Sequence, residues 1–250
     1  MVAYVWLEHF RDPVAWPSCR YTQVLPDVKQ YRSRAEPTKM TSGDVGHMDT
    51  EKAINTYGKN YRTALKEGGF ADIDKKLKAF ESRLRGMYAS ENFKKHNIYP
   101  TTNATYIYAV MAMCLEIKSF GYSDKDTIEI VNKGFEKRRN FFKRIIAVIN
   151  LMPNSFDIAR KWNISDHEKR VKDGSITYDY FNVSKDKVEY RISKCMYIEM
   201  FETYGIRGLC KIFCMTDEFA YAGLPKHVMF IRHSDLSDGP ACLDEVIRKA

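Results

Sequence analysis

The hydrophobic pattern changes period at Gly174, and that change limits the folds open to this chain. Before it, apolar residues recur every three or four positions. After it, SITYDYFNV (175–183) and KVEYRIS (187–193) alternate apolar and polar, with a short SKD connection between them. A period near 3.6 builds helices and a period of two builds half-buried strands. The order predicts an α+β protein: an N-terminal helical half packed with a C-terminal antiparallel sheet and helices.

In the helical half, Ile73, Leu77, Phe80, Leu84 and Met87 form one apolar stripe. A second helix is read as starting at Thr101–Thr102 after Pro100, running to about Phe120, and ending at Gly121. It is apolar almost all round and so is expected to be the most buried. Ser123 reads as the cap of a third helix, carrying Ile128, Val131, Phe135, Phe142, Ile145 and Ile149 and stopped by Pro153. A short helix follows at 155–163. The charged run DHEKR (166–170) reads as a connector or helix end, with His167 solvated.

Beyond the hairpin, CMYIEMFETYG (195–205) and CKIFCMTDEFAY (210–221) read as helical and HVMFIRH (227–233) as a strand. LSDGPA reads as a turn, and CLDEVIR (242–248) fits a last strand or a short helix. Pro13, Pro17, Pro26 and Pro37 make residues 1–48 an irregular N-terminal segment, with a loop at 40–48. Residues 49–250 then form a single α+β domain, its helical part 49–174 and its sheet-containing part 175–250.

Composition excludes several function classes. The net charge is +8, but basic residues are interleaved with acids and no block of five like charges occurs, so no nucleic-acid partner is expected. No apolar run reaches membrane-span length, and the start has no basic region of a signal peptide, so no membrane association and a cytoplasmic location are expected. The six cysteines then read as thiols in a reducing compartment. G-x-G-x-x-G, P-loop, G-x-S-x-G and H-E-x-x-H signatures are absent. No cofactor or metal is called for, although Cys195, Cys214 and Asp217 would be the ligands in a metal-dependent alternative.

Four cysteines crowd the last third: Cys195, Cys210, Cys214 and Cys242. On a helix, Cys210, Cys214, Asp217 and Tyr221 share one face. Cys210 reads as packing and the other three as the wall of a site. A thiol reacts as thiolate and needs a nearby cation or base. An ionised Asp217 beside Cys214 works against that.

RISKCMYIEMFETYG, LCKIFCMTDEFAY and FIRHSDLSDGPAC resemble the L-2-amino-thiazoline-4-carboxylic acid hydrolase family. The resemblance falls on Cys195, Cys214, Asp217, Arg232, Gly239 and Cys242 and is specific over about 175–245. Cys242-Leu243-Asp244 departs from the C-x-F run common in the family. The resemblance implies ring opening of a cyclic isothiourea, a small-molecule substrate, to an N-carbamoyl amino acid, or related ring chemistry in a biosynthetic pathway. Asp217 would hold the amidinium-like N–H groups or serve as base for water, the nucleophile would be either the Cys214 thiolate or that water, and Cys195 or His233 would protonate the leaving sulfur. Arg232 or Arg191 would meet the substrate carboxylate, with Tyr221 and Cys242 lining the site. The alternative is a non-catalytic module that binds a small ligand; assembly into a homo-oligomer is left open.

Overall fold

The computed structural model describes residues 28–30 and 50–249. The N-terminal prolines, the aromatic VAYVWLEHF run, Cys19 and the 40–48 loop lie outside the described residues. The fold is α+β. Its contacts gather into two units, one of residues 50–139 and 196–212, the other of 28–30, 140–195 and 213–249.

The first unit is helical. Helices α1 (Thr50–Glu67), α2 (Ile73–Ala89) and α3 (Glu91–His96) precede α4 (Ala104–Ser119) and α5 (Asp124–Lys133). Helix α4 is buried almost all round, from Ala104 through Ile117, as its uniform apolarity predicts. It starts later than Thr101–Thr102, because Asn103 is the residue whose side chain caps it, accepting from the Tyr106 N–H at 3.0 Å. Ser123 caps α5 in the same way, accepting from the Asp126 N–H.

The single long helix expected after Ser123 is two: α5 stops at Lys133 and α6 (Glu136–Asn150) follows. The break sits at Gly134, where a Cβ would lie 2.5 Å from the Asn60 carbonyl oxygen. That close approach of α1 admits only glycine, a poor helix former, and the chain turns there through hydrogen bonds to residues three back.

The second unit centres on a five-stranded antiparallel sheet, ordered β1-β2-β3-β5-β4. Its strands are β1 (Val28–Gln30), β2 (Ile176–Ser184), β3 (Lys187–Cys195), β4 (Val228–Ser234) and β5 (Cys242–Arg248). Residues 28–30 correct the reading of 1–48 as wholly irregular: they pair along β2, Val28 opposite Ser184. CLDEVIR is a strand, seated between β3 and β4.

Helix α7 (Ser155–Asp173) is ten residues longer than the expected 155–163 and ends at Gly174, whose φ of 74° stops the helix. It packs on β2, β3 and β5. Helix α8 (Met196–Thr203) and a 3-10 turn at Arg207–Cys210 belong to the helical unit. Helix α9 (Lys211–Ala222) belongs to the sheet unit and carries Cys214, Asp217 and Tyr221.

Candidate functional site

Strand alternation fixes which side chains meet. On β3, Val188, Tyr190 and Ile192 are buried; on β5, Cys242, Asp244 and Val246 are. Register then sets one rung across the sheet: Phe181 opposite Tyr190, Tyr190 opposite Asp244, and Asp244 opposite Arg232. A carboxylate and a guanidinium thus stand side by side on the inner face, with α9 beside them.

Arg232 is the hub. Its Nε donates to Asp244 Oδ1 at 2.9 Å and its Nη2 to Oδ2 at 2.7 Å, a two-pronged pairing. Nη2 also reaches Asp217 Oδ2 at 3.4 Å, and Nη1 reaches the Cys214 carbonyl at 2.7 Å and Glu218 Oε1 at 3.3 Å. A guanidinium has five N–H donors, and these five contacts engage them all. Burial works to lower the Arg232 pKa, but its hydrogen bonds to Asp244 and the charges of Asp217 and Asp244 outweigh it, and the pKa rises. The group is a fixed cation.

Asp217 is 4% exposed and Asp244 1%. Asp244 accepts further from the Tyr190 hydroxyl at 3.0 Å and from Cys242 Sγ at 3.5 Å. Burial pushes the Cys242 thiol far up and the Asp244 charge adds to it, with Arg232 offsetting only part. Cys242 is therefore a protonated donor to Asp244, unfit as a nucleophile. Cys214 is half-buried.

Tyr221 is oriented by Asn163 of α7. The Asn163 Nδ2 lies 2.8 Å from the Ala159 carbonyl and 2.7 Å from the Tyr221 hydroxyl oxygen. Only an NH₂ group fits that close to a carbonyl, so the amide orientation follows and the phenol accepts. Burial, then the Asp217 charge, push the Tyr221 pKa up, with the Asn163 bond opposing them; the phenol stays neutral.

A stripe on α7 completes the inner face. Asn163, Asp166, His167 and Arg170 follow helical spacing and are all buried. His167, expected to be solvated, is 5% exposed. Its ring stacks on Phe181 with centroids 4.0 Å apart and meets the edge of Tyr178 at 4.6 Å. Burial lowers its pKa to about 4, against a smaller pull upward from Asp166. Asp166 takes the Nε edge of Arg170, at 3.0 and 3.3 Å to its two oxygens.

The structure thus brings together Cys214, Asp217, Tyr221, Arg232 and Cys242. Cys195 is buried at the end of β3, opposite Ile176, and its charge would act on the Tyr178 hydroxyl. Arg191 and His233 are not among them. Each follows an inward residue, Tyr190 and Arg232, so each points from the other face. Arg191 pairs there with Asp179 at 3.2 Å, and His233 lies 3.8 Å from Glu245. Asp244, Tyr190, Asn163, Asp166, His167 and Arg170 were missed as site candidates. The signals for them were in the chain: Asp244 shares the parity of Cys242, and the four α7 residues share a 3.6 period.

Among the described residues, no three His, Cys, Asp or Glu side chains are grouped to hold a metal ion, so Cys195, Cys214 and Asp217 do not close into a ligand set. The described cysteines carry thiols, not disulfides. No helix among the described residues is long and apolar enough to cross a membrane.

No curated protein and no solved structure matches the chain. A family model does: it aligns with residues 46–243, a span that holds α1 through α9 and the whole Arg232–Asp217–Asp244 cluster. On that match the chain belongs to the L-2-amino-thiazoline-4-carboxylic acid hydrolase family.

Proposed function

We propose that this protein is a hydrolase that opens the ring of a 2-amino-thiazoline carboxylate to give an N-carbamoyl amino acid. The observation that carries the reading is the buried carboxylate of Asp217, paired with Arg232, one helical turn after the half-buried Cys214. The family match is consistent with it.

The electrostatics favour water over a thiolate as the nucleophile. Three carboxylates, Asp217, Asp244 and Glu218, share one guanidinium, so within this cluster the acids outnumber the cation. A second anion on Cys214, one turn from Asp217, would cost on the order of 3 kcal/mol at an effective dielectric of about 20. The same negative field suits a substrate whose N–C–N unit is amidinium-like.

In this reading Asp217 accepts a proton from water as its oxygen attacks the carbon between sulfur and nitrogen. The carbon–sulfur bond breaks, its electron pair goes to sulfur, and the proton held by Asp217 is returned there. The second water proton leaves to solvent as the carbon–oxygen double bond forms, so the water oxygen becomes the carbamoyl oxygen and the product is a thiol. Cys214 lines the site. Arg232 organises Asp217 and Asp244 rather than meeting the substrate, since its five N–H groups already have acceptors.

The test is to incubate the full chain with 2-amino-thiazoline-4-carboxylate and follow thiol release and N-carbamoyl-cysteine by mass spectrometry. Asp217→Asn is expected to lose about 100-fold or more in kcat, the usual scale for removing a general base. Cys214→Ala should stay within about tenfold. The reverse pattern would make Cys214 the nucleophile, and absence of turnover in the wild type removes the reading.

One observation favours the second reading, a non-catalytic binding module: Asp217 is buried and ion-paired to an arginine. Such a module is stabilised by the compound in a thermal melt without consuming it.

A further inference from the structure

Two buried acids share the Arg232 guanidinium, and they share it unequally. Asp244 receives two hydrogen bonds, at 2.9 and 2.7 Å, whereas the contact to Asp217 is 3.4 Å long. The inequality follows from where each acid comes from. Asp244 stands directly opposite Arg232 in the strand register, so the two side chains lie side by side on one face of the sheet. Asp217 arrives from helix α9, not from the ladder, and takes what the two-pronged pairing leaves.

Asp244 is itself held from the other side. Its Oδ2 also accepts from the Tyr190 hydroxyl at 3.0 Å and from Cys242 Sγ at 3.5 Å. Burial, then the Asp244 charge, push the proton affinities of Tyr190 and Cys242 up, so both remain donors. A carboxylate offers about four acceptor sites, and two N–H groups, a phenol and a thiol fill them. Asp244 therefore has no edge with which to meet a substrate. Whatever it does for a reaction, it does through Arg232.

We propose that Asp244 is a positioning residue for the ring opening: by claiming the two-pronged edge of Arg232 it keeps that guanidinium from closing on Asp217, and so leaves Asp217 able to take a proton from water. The assignment rests on the ring-opening reading, in which Asp217 is the base. An arginine gripping Asp217 with two short bonds would favour its charged form and make it a poor base. A second anion on the same guanidinium acts the other way, because a like charge nearby favours the protonated form. The remaining titratable groups of the cluster do not substitute for Asp244. On α9, Glu218 has 48% of its side chain exposed, Cys214 offers its carbonyl to Arg232, and Tyr221 is kept neutral by burial. Tyr190 on β3 and Cys242 on β5 are neutral donors. Asp166 of α7 acts on Tyr221 and is paired with Arg170.

Two measurements on the full chain test this, one of them independent of turnover. The Asp217 carboxyl is titrated by NMR in protein carrying aspartate labelled with carbon-13 at the side-chain carboxyl, its signal identified by its loss in Asp217→Asn. In parallel, kcat is followed against pH with 2-amino-thiazoline-4-carboxylate, and circular dichroism and thermal melting check the fold. Asp244→Asn is expected to move the Asp217 titration, and with it the acid limb of the kcat profile, down by about one pH unit or more, the scale of a carboxylate gaining an unshared arginine. On the plateau kcat should fall by about tenfold or less, because the base is weakened and not removed. Asp244→Glu, which keeps the charge, should leave the limb in place; equal shifts in the two variants overturn the inference. A merely structural role lowers the thermal midpoint and moves neither titration nor limb. Should Asp244→Asn fail to fold, Tyr190→Phe decides. With one donor gone, Asp244 turns more of its charge on Arg232, and the Asp217 titration should move upward; an unmoved titration overturns the inference. A folded Asp244→Asn in which Asp217 titrates as in the wild type also overturns it and leaves the hydrolase reading intact. A shifted titration in a chain that turns nothing over keeps the link between Asp244 and Asp217 and removes the hydrolase reading.

Discussion

The two faces of the sheet carry nearly the same ionic groups, one residue apart. Asp244 is followed by Glu245, Arg232 by His233, and Tyr190 by Arg191. Inside, Arg232 joins Asp244, Asp217 and Glu218 with Asp244 almost wholly covered. Outside, Lys187 bridges Glu189 and Glu245, Arg191 meets Asp179, and His233 approaches Glu245, each with one partner or both substantially exposed. Pairing chemistry does not separate the faces; hydration does. An exposed ion pair exchanges water for a partner at little net gain. A covered one has paid for desolvation and depends on its partner to recover it. The inner groups are thus the ones whose loss the fold feels most, and the ones to which the proposed chemistry is assigned.

The sharpest way to break this comparison is to remove the inner cation. Arg232→Met leaves Asp244 and Asp217 buried without their guanidinium, and the expected loss is about 3–5 kcal/mol in urea unfolding. Arg232→Met combined with Asp244→Asn should recover part of it, since the second change removes one stranded charge. A single-variant loss under about 1 kcal/mol would mean that water reaches the cluster, and the two faces would then be alike.

A smaller effect is expected at His167, and its sign is set by burial. An unfolded imidazole takes up a proton near pH 6.5. The folded one does so only near pH 4, because burial opposes the charge. Between those values the unfolded state binds more protons, so stability is intact above about pH 6.5 and falls as the pH drops toward 4. Allowing for partial hydration of the ring, His167 accounts for about 1–2 kcal/mol of that fall. His167→Gln should flatten the stability profile over this window by that amount while leaving it unchanged above pH 7. An unaltered slope would mean that the ring takes up its proton as readily folded as unfolded. The charged and titratable groups around it are Asp166 and Arg170 on its own helix, which pair with each other, and Tyr178 on β2.

These two residues also mark where the chain was legible and where it was not. The α2 stripe, the all-round apolarity of α4 and the alternation of the β2–β3 hairpin each declare a buried face by hydrophobicity, and the elements lie close to the expected positions. Helix α7 escaped because its buried face is polar: Asn163, Asp166, His167 and Arg170 keep the helical period but add nothing to an apolar count, so the helix read as ending at 163. The break at Gly134 depends on the Asn60 carbonyl, far away in the chain, and has no local signal beyond the glycine itself. In the candidate site, the clustering of Cys214, Asp217, Tyr221, Arg232 and Cys242 was expected from helical spacing and from the resemblance to the family, and the structure does place them together. Arg232 and His233 were both assigned to it, although neighbours on a strand face opposite ways. That parity was available from the sequence, as was the pairing of Asp244 with Cys242.

The outer face supplies the smallest expected effect and the cleanest control. Arg191 has 47% of its side chain exposed and its partner Asp179 41%; His233 has 46%. Water replaces whatever these pairs lose, so Arg191→Ala and His233→Ala should each leave the thermal midpoint within a degree or two and kcat/KM within about twofold, as surface substitutions away from special features do. The measurement bears on mechanism as well as stability, because each residue is a chemically reasonable partner for the substrate, as carboxylate receptor or as proton donor to sulfur. A loss of 100-fold in either variant, with the fold intact, would place the reacting ring on the outer face. It would also remove the catalytic role proposed for the inner cluster, leaving Arg232, Asp217 and Asp244 as a buried structural network and nothing more.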